Sequence, residues 1–178
     1  DQLIMDSLAY WKRNHLEELR LSMKARHDRF GDLAYLLEPD IKEARGGLRD
    51  MSAIRAIALS EVIQFEESSL ENINVMESKL LDIRDSLHHV SGRDKDQLLF
   101  HEQDKVAAQL GYVDADALMG TVATIARSVE YQLNVAWHYF DNRKNRPFFR
   151  KSRPTSVGKN IAVENHEVII EQVDPTVS

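Results

Sequence analysis

Apolar side chains recur at three- and four-residue intervals over most of the chain, the period of a helix with one buried face. From 2 to 30, Ile4, Leu8, Trp11, His15, Leu19 and Met23 share a stripe and predict a long first helix, stopped by Gly31. Gly46-Gly47 opens a second, running to about Gln64. Its inward stripe is Leu48, Met51, Ile54 or Arg55, Ala58 and Val62, and Asp50 lies in the first turn, where the helix dipole favours an anion. A third spans roughly Leu70 to Val90; Ile73, Met76, Leu80, Ile83, Leu87 and Val90 alternate as at a seam between antiparallel neighbours. A fourth passes through Leu99, Val106 and Leu110, with Asp94 or Asp96 as its cap and Gly111 at its end. Asp114 caps the fifth and longest, whose stripe is Leu118, Val122, Ile125, Val129, Leu133, Ala136 and Phe140.

Two segments break the helical period. Leu33 to Leu37 is short and apolar and runs into Glu38-Pro39-Asp40. The residue before a proline is biased away from helix, so 33–42 is expected to be extended. Near the end, Ile161-Ala162-Val163 and Val168-Ile169-Ile170 flank polar Glu164 to Glu167 and predict a small hairpin, too short to be stable alone. No repeat recurs at a fixed period. The fold class expected is mainly α: a five-helix bundle-like domain with a short extended segment near 33–42 and a small C-terminal hairpin.

Composition narrows the setting. A hydrophobic fraction of 43% in 178 residues supports one real core. There is no cysteine, so disulfide frameworks and thiolate metal sites are excluded. No apolar run approaches the roughly 20 residues that cross a bilayer, so no membrane association is expected. The chain opens Asp1-Gln2-Leu3, unlike a signal peptide and without an initiator methionine. A cytoplasmic piece of a longer protein is expected. The net charge of -6 conceals a basic stretch: Arg143, Lys144, Arg146, Arg150, Lys151, Arg153 and Lys159, with no acidic residue between Asn142 and Val163. It reads as a solvated interdomain linker, or as an attractor of anionic partners.

Candidate chemistry gathers in Leu37 to Asp50. Glu38 and Asp40 are two apart and would share one face of an extended segment, a geometry that a divalent cation on a phosphate chain can use. Gly46 and Gly47 would let backbone amides approach an anion at a helix start, with Lys42, Arg45 and Arg49 adding positive charge. The alternative is a charged turn that caps a helix. His88 and His89 are adjacent and so point to different helix faces, one packed and one solvated. Tyr131, Trp137, Tyr139 and Phe140 are expected as core or interdomain contacts. RNA-reading signatures are missing, and no nucleic-acid partner is expected.

The run LEPDIKEARGGLRDMSAIRAIA, from Leu37 to Ala58, closely resembles a segment of the bacterial PII uridylyltransferase/uridylyl-removing enzymes. A second run, SLHHVSGRDKDQLLFHEQDKVAAQLGY from Ser86 to Tyr112, resembles the same family, and the likeness covers most of Met23 to Tyr139. The resemblance implies a parent enzyme that transfers UMP or AMP from UTP or ATP to a tyrosine of the PII signal protein, with Mg2+ as cofactor. It also implies a transferase domain, a helical domain, an HD-type hydrolase domain and two ACT domains in order. On that plan 1–45 ends the transferase domain, 46–142 is the helical domain, and 143–178 is a basic linker and hairpin leading to the hydrolase.

By its place in the run, Asp40 resembles the third catalytic carboxylate and a metal ligand, with Glu38 as the alternative. Lys42, Gly46, Gly47 and Arg49 are the nucleotide-binding candidates. Arg93, Asp96 and Gln103 would brace the helical domain against the nucleotide cleft or fix a loop. The family's Gly-Ser followed by Asp-x-Asp is missing before Asp40. Asp114-Ala115-Asp116 sits at a helix start and reads as a cap. His27-Asp28 lacks the distant ligands of a hydrolase site. The chain alone is therefore expected to be inactive. The rival reading is a non-catalytic helical module that docks PII or a neighbouring domain.

Overall fold

The computed structural model describes residues 2–63 and 65–144 and three short strands, with side chains for residue 12 and for 14–142 other than 64. The chain divides into two compact units, Asp1–Trp137 and His138–Ser178. Five helices are described: α1 (Gln2–Phe30), α2 (Leu48–Leu59), α3 (Glu67–Ser91), α4 (Phe100–Gln109) and α5 (Ala115–Lys144). The molecule is mainly α, as the periodicity requires.

The stripes of α3 and α5 run as expected. Ile73, Leu80, Ile83 and Leu87 are buried on α3, and Leu118, Val122, Ile125, Val129, Leu133 and Ala136 on α5. Burying each such side chain contributes about 1.5–3 kcal/mol. The stripe of α1 differs. Ile4, Leu8 and Trp11 lie outside the described side chains, and His15 is exposed while Leu16 and Met23 are buried. The inward line therefore runs Leu16, Leu19, Met23 and on into half-buried Arg26 and His27.

Helix α2 ends earlier than expected. Glu61 takes a left-handed φ of 58°, and the Ser60 hydroxyl donates to the Ile57 carbonyl at 2.6 Å. Its buried line is Leu48, Met51, Ile54 and Ile57 rather than Ala58 and Val62. Arg55 instead crosses to α3, where it pairs with Glu77 and Asn74. Asp114 caps α5, its Oδ1 accepting the Ala117 N–H at 2.7 Å. Neither Asp94 nor Asp96 caps α4, whose N-cap position is Leu99.

No strand forms at 33–42. Asp32 and Asp40 each accept the N–H two residues on, at Ala34 (3.1 Å) and Lys42 (3.0 Å), and these turns outcompete an extended run. Only single bridges remain, Asp32 to Arg45 and Asp40 to Gln97. In the second unit β1 (Thr155–Gly158), β2 (Ile161–Glu164) and β3 (Glu167–Ile170) form an antiparallel sheet in that order. Its β2–β3 hairpin pairs Ile161 with Ile170 and Glu164 with Glu167; β1 is a strand the sequence pattern did not announce. Most of the basic stretch lies outside the described residues.

The approach of the loop before α2 to α5 depends on Gly46. Its φ is +87°, and a Cβ there would stand 2.7 Å from the Ala126 carbonyl oxygen. A Gly46→Ala change should cost about 3 kcal/mol, from left-handed strain and overpacking together. Denaturant unfolding measures it, and a loss below about 0.5 kcal/mol would show that α5 yields freely there.

Candidate functional site

The residues from 37 to 50 are held from two sides. On one side lies the segment 96–103, which opens α4. Ile41 donates its N–H to the Asp96 carbonyl and Leu98 its N–H to the Pro39 carbonyl, both at 2.9 Å. The side-chain amide of Gln97 donates to the Glu38 carbonyl at 3.2 Å, and that of Gln103 to the Leu37 carbonyl at 2.7 Å. Glu38 answers with its own carboxylate, whose Oε1 accepts the Phe100 N–H at 2.9 Å. It satisfies one of the open donors at the start of α4, which has no side-chain cap of its own. The two runs that carry the family resemblance are thus bound to each other.

Asp40 is half-buried, and its Oδ1 accepts the N–H groups of Lys42 (3.0 Å) and Glu43 (2.7 Å). Lys42 extends to Asp96, with Nζ 3.5 Å from Oδ2. Asp96 also receives Arg84 Nε at 2.6 Å and faces His88 Nε2 at 2.9 Å. Burial pushes its carboxyl up, but the bonds from Arg84 and His88 and the charges of Arg84 and Lys42 outweigh burial and hold it below its ordinary value. His88 is the packed member of the histidine pair, and His89 is exposed. Arg93 pairs with buried Glu102 of α4 at 2.9 Å and so ties its own loop to that helix, while Asp96 and Gln103 bond to the 37–42 segment.

The other side is organised by Asp50, which is fully buried. Arg26 Nη2 reaches its Oδ1 at 2.5 Å, His27 Nε2 lies 2.9 and 3.0 Å from its two oxygens, and the Gly46 N–H donates to Oδ2 at 2.7 Å. Burial again raises its pKa, and these bonds, His27 first, outweigh burial and lower it. Arg26 also donates to the Glu43 carbonyl at 2.6 Å. The N–H groups of Gly47, Leu48 and Arg49 are donated to the carbonyls of Ala44, Ile41 and Lys42. The Arg49 side chain is exposed and donates to Glu43 at 3.2 Å.

The candidates therefore fall into two groups. Glu38, Asp40 and Lys42 join the 96–100 segment, while Gly46, Gly47 and Arg49 join Asp50, Ala44 and Glu43. They meet where Glu43 donates to Asp40 and Arg49 to the Lys42 carbonyl. Sequence reading placed Asp50 only at a helix dipole. The signal for its burial was its position between Leu48, Met51 and Ile54 on an apolar helix, a place where a carboxylate needs partners. Among the described residues no three His, Cys, Asp or Glu side chains converge on a metal position, and no helix is long and apolar enough to cross a membrane.

Asp50 and Asp96 both have folded pKa values below the ordinary 3.8, so the stability they contribute is present above pH 3.8. It is lost as the pH falls below that value, through the lowered ones. Asp50→Ala should cost about 3–5 kcal/mol at neutral pH by stranding Arg26 and the Gly46 N–H. The difference from wild type should shrink as the pH drops below 3.8. Denaturant titrations from neutral pH to pH 3 test this; a pH-independent difference would remove Asp50 as an ionised anchor.

Residues 14–137 match the family described as GlnD PII-uridylyltransferase. The chain is similar to the bifunctional uridylyltransferase/uridylyl-removing enzyme of Streptomyces coelicolor, 46% identical over 133 residues, covering 73% of this chain and 16% of that protein. It is similar also to the Mycobacterium tuberculosis H37Rv protein of the same name, 36% identical over 124 residues, covering 67% of this chain and 15% of that protein. No solved structure matches it. The chain spans less than a fifth of the length of these relatives. With a match across most of its first compact unit, this chain belongs to the PII-uridylyltransferase family.

Proposed function

We propose that this chain is the part of a protein-PII nucleotidyltransferase that presents Asp40 to the nucleotide and holds it in place. The parent transfers UMP from UTP, or AMP from ATP, to a PII tyrosine; the relatives' names favour the uridylyl group. The observation that carries this reading is the mutual bonding of the segments 37–42 and 96–103 around Asp40. It sets a half-buried carboxylate on a loop braced by α4, as a preorganised reacting group requires.

In this reading Asp40 orients or deprotonates the attacking hydroxyl, or contributes one oxygen to a metal shell. Glu38 is the weaker candidate, because its carboxylate caps α4. Lys42 and Arg49 keep partly exposed side chains, 37% and 58% accessible, and each is paired with a single carboxylate, so both can turn to a phosphate. Gly46 serves the site by letting the loop lie close to α5, and Gly47 by letting the loop fold onto the carbonyls of Ile41, Lys42 and Ala44; the N–H groups of both are donated within the protein. Residues 1–45 close the transferase domain, 46–142 form the helical domain, and 143–178 lead towards the hydrolase. These residues do not make a magnesium site by themselves, so Mg2+ would need further oxygen ligands from the parent and the nucleotide.

The 178-residue chain should show no transfer when incubated with PII, Mg2+ and labelled UTP, because it holds no Gly-Ser pair and no converging carboxylates among the described residues. Incorporated label would refute this. In the full-length enzyme, Asp40→Asn keeps an oxygen that can accept from Lys42 and Glu43 but removes the charge. Transfer should drop by about a hundredfold or more, with uridylyl removal within about twofold of wild type. Asp40→Ala should lose transfer as well as the turn. If Asp40→Asn transfers normally, Asp40 serves only the turn, and the helical docking module becomes the better reading.

A further inference from the structure

Beside the candidate site three large apolar side chains are exposed together. Tyr35, Leu37 and Phe100 are 74%, 67% and 61% exposed. They line a groove of about 510 Å3 together with Met119 and Ala123 of α5. Large exposed apolar side chains gathered in one place mark an interaction surface more often than scattered ones do. The charged lining is Asp104, Asp114 and Asp116, with no lysine or arginine among the lining residues. The groove is continuous with the site, since Gln103 of its wall holds the Leu37 carbonyl and the Phe100 N–H is accepted by Glu38.

We propose that this groove, lined by three carboxylates and by exposed apolar side chains, docks the protein substrate, and that the segment entering it carries an apolar or aromatic side chain together with net positive charge. The inference rests on the transferase reading above and names the partner surface of that same site. A protein whose tyrosine must reach Asp40 has to rest on surface near it, and this groove meets the Asp40 loop at Leu37 and Glu38. Three carboxylates repel a nucleoside triphosphate, a nucleic acid or an anionic lipid surface, and attract a basic segment. The exposed side chains of Tyr35, Leu37 and Phe100 supply the contact area that a charge pattern alone lacks.

The test uses the full-length enzyme with Asp104→Lys and, separately, Tyr35→Ser, both at exposed positions that line the groove outside the 37–42 segment. Each should raise the KM for PII about tenfold, as loss of one good interface contact does, with kcat and the KM for UTP within about twofold of wild type. The wild-type KM for PII should climb with salt, and that of Asp104→Lys should climb less. Direct binding of fluorescently labelled PII should weaken by the same factor, a readout independent of turnover. Unchanged KM and binding in variants that melt like wild type would overturn the docking proposal, as would a shift in the KM for UTP instead. Normal transfer by Asp40→Asn would overturn the catalytic reading alone, because the binding titration still reports on the groove.

Discussion

The carboxylate of Asp50 carries a charge with no water around it, and the chain arranges three separate donors to make that tolerable. An uncompensated anion in a protein interior costs several kcal/mol, so the partners are obligatory. Arg26 and His27 come from the end of α1, Gly46 from the turn before α2, and Asp50 itself from the first turn of α2. Satisfying one buried charge therefore fixes the angle at which α1 meets α2 and the path of the turn between them. That path in turn brings Gly46 against Ala126, where no side chain would fit. The seating of the loop on α5 follows from the electrostatics of α2.

A second tie extends the order outward. The loop that Asp50 fixes at residue 46 continues back to Glu38 and there meets a helix start that lacks its own cap. Glu38 and the α4 N-terminus solve each other's problem: the helix offers an open N–H, and the loop offers an acceptor. Asp96 does the same for basic side chains, drawing Arg84 and His88 of α3 and Lys42 of the loop onto one carboxylate. The polar residues that join the elements are thus arranged as exchanges between distant parts of the chain. Cutting one leaves two groups unsatisfied, which is why such networks hold a single geometry.

What the sequence revealed follows from this arrangement. The helices of the apolar seam were legible, because Leu80 on α3 or Val129 on α5 declares its burial through neighbours three and four residues away. On α1 Leu19 and Met23 were read correctly and His15 was not, Leu16 taking its inward place; the polar inward residues Arg26 and His27 gave no signal, because their partner is more than twenty residues distant. The extended reading of 33–42 failed because Asp32 and Asp40 pull their own backbones into turns, a local effect that apolar content hides. Asp96 had the letter of a helix cap, but Arg84, His88 and Lys42 claim it. Of the candidate site, the motif and its glycines were legible as unusual. The bonding to 96–103 was not, since a contact across some sixty positions has no periodic trace.

The same distinction separates a turn-forming aspartate from a reacting one. A carboxylate that only shapes a turn can sit at the surface of any loop, because the two backbone donors hold it wherever the loop goes. Asp40 has more than that. Its loop is clamped before it by Leu98 on the Pro39 carbonyl, after it by Asp96 on the Ile41 N–H, and beyond by the Asp50 anchor at Gly46. With Oδ1 fixed by Lys42 and Glu43, the direction of Oδ2 is set by the whole assembly rather than by a side-chain rotamer. Clamping a half-buried carboxylate from both sides is more order than a turn alone needs. It is the order that the role proposed for Asp40 would require of a preorganised group.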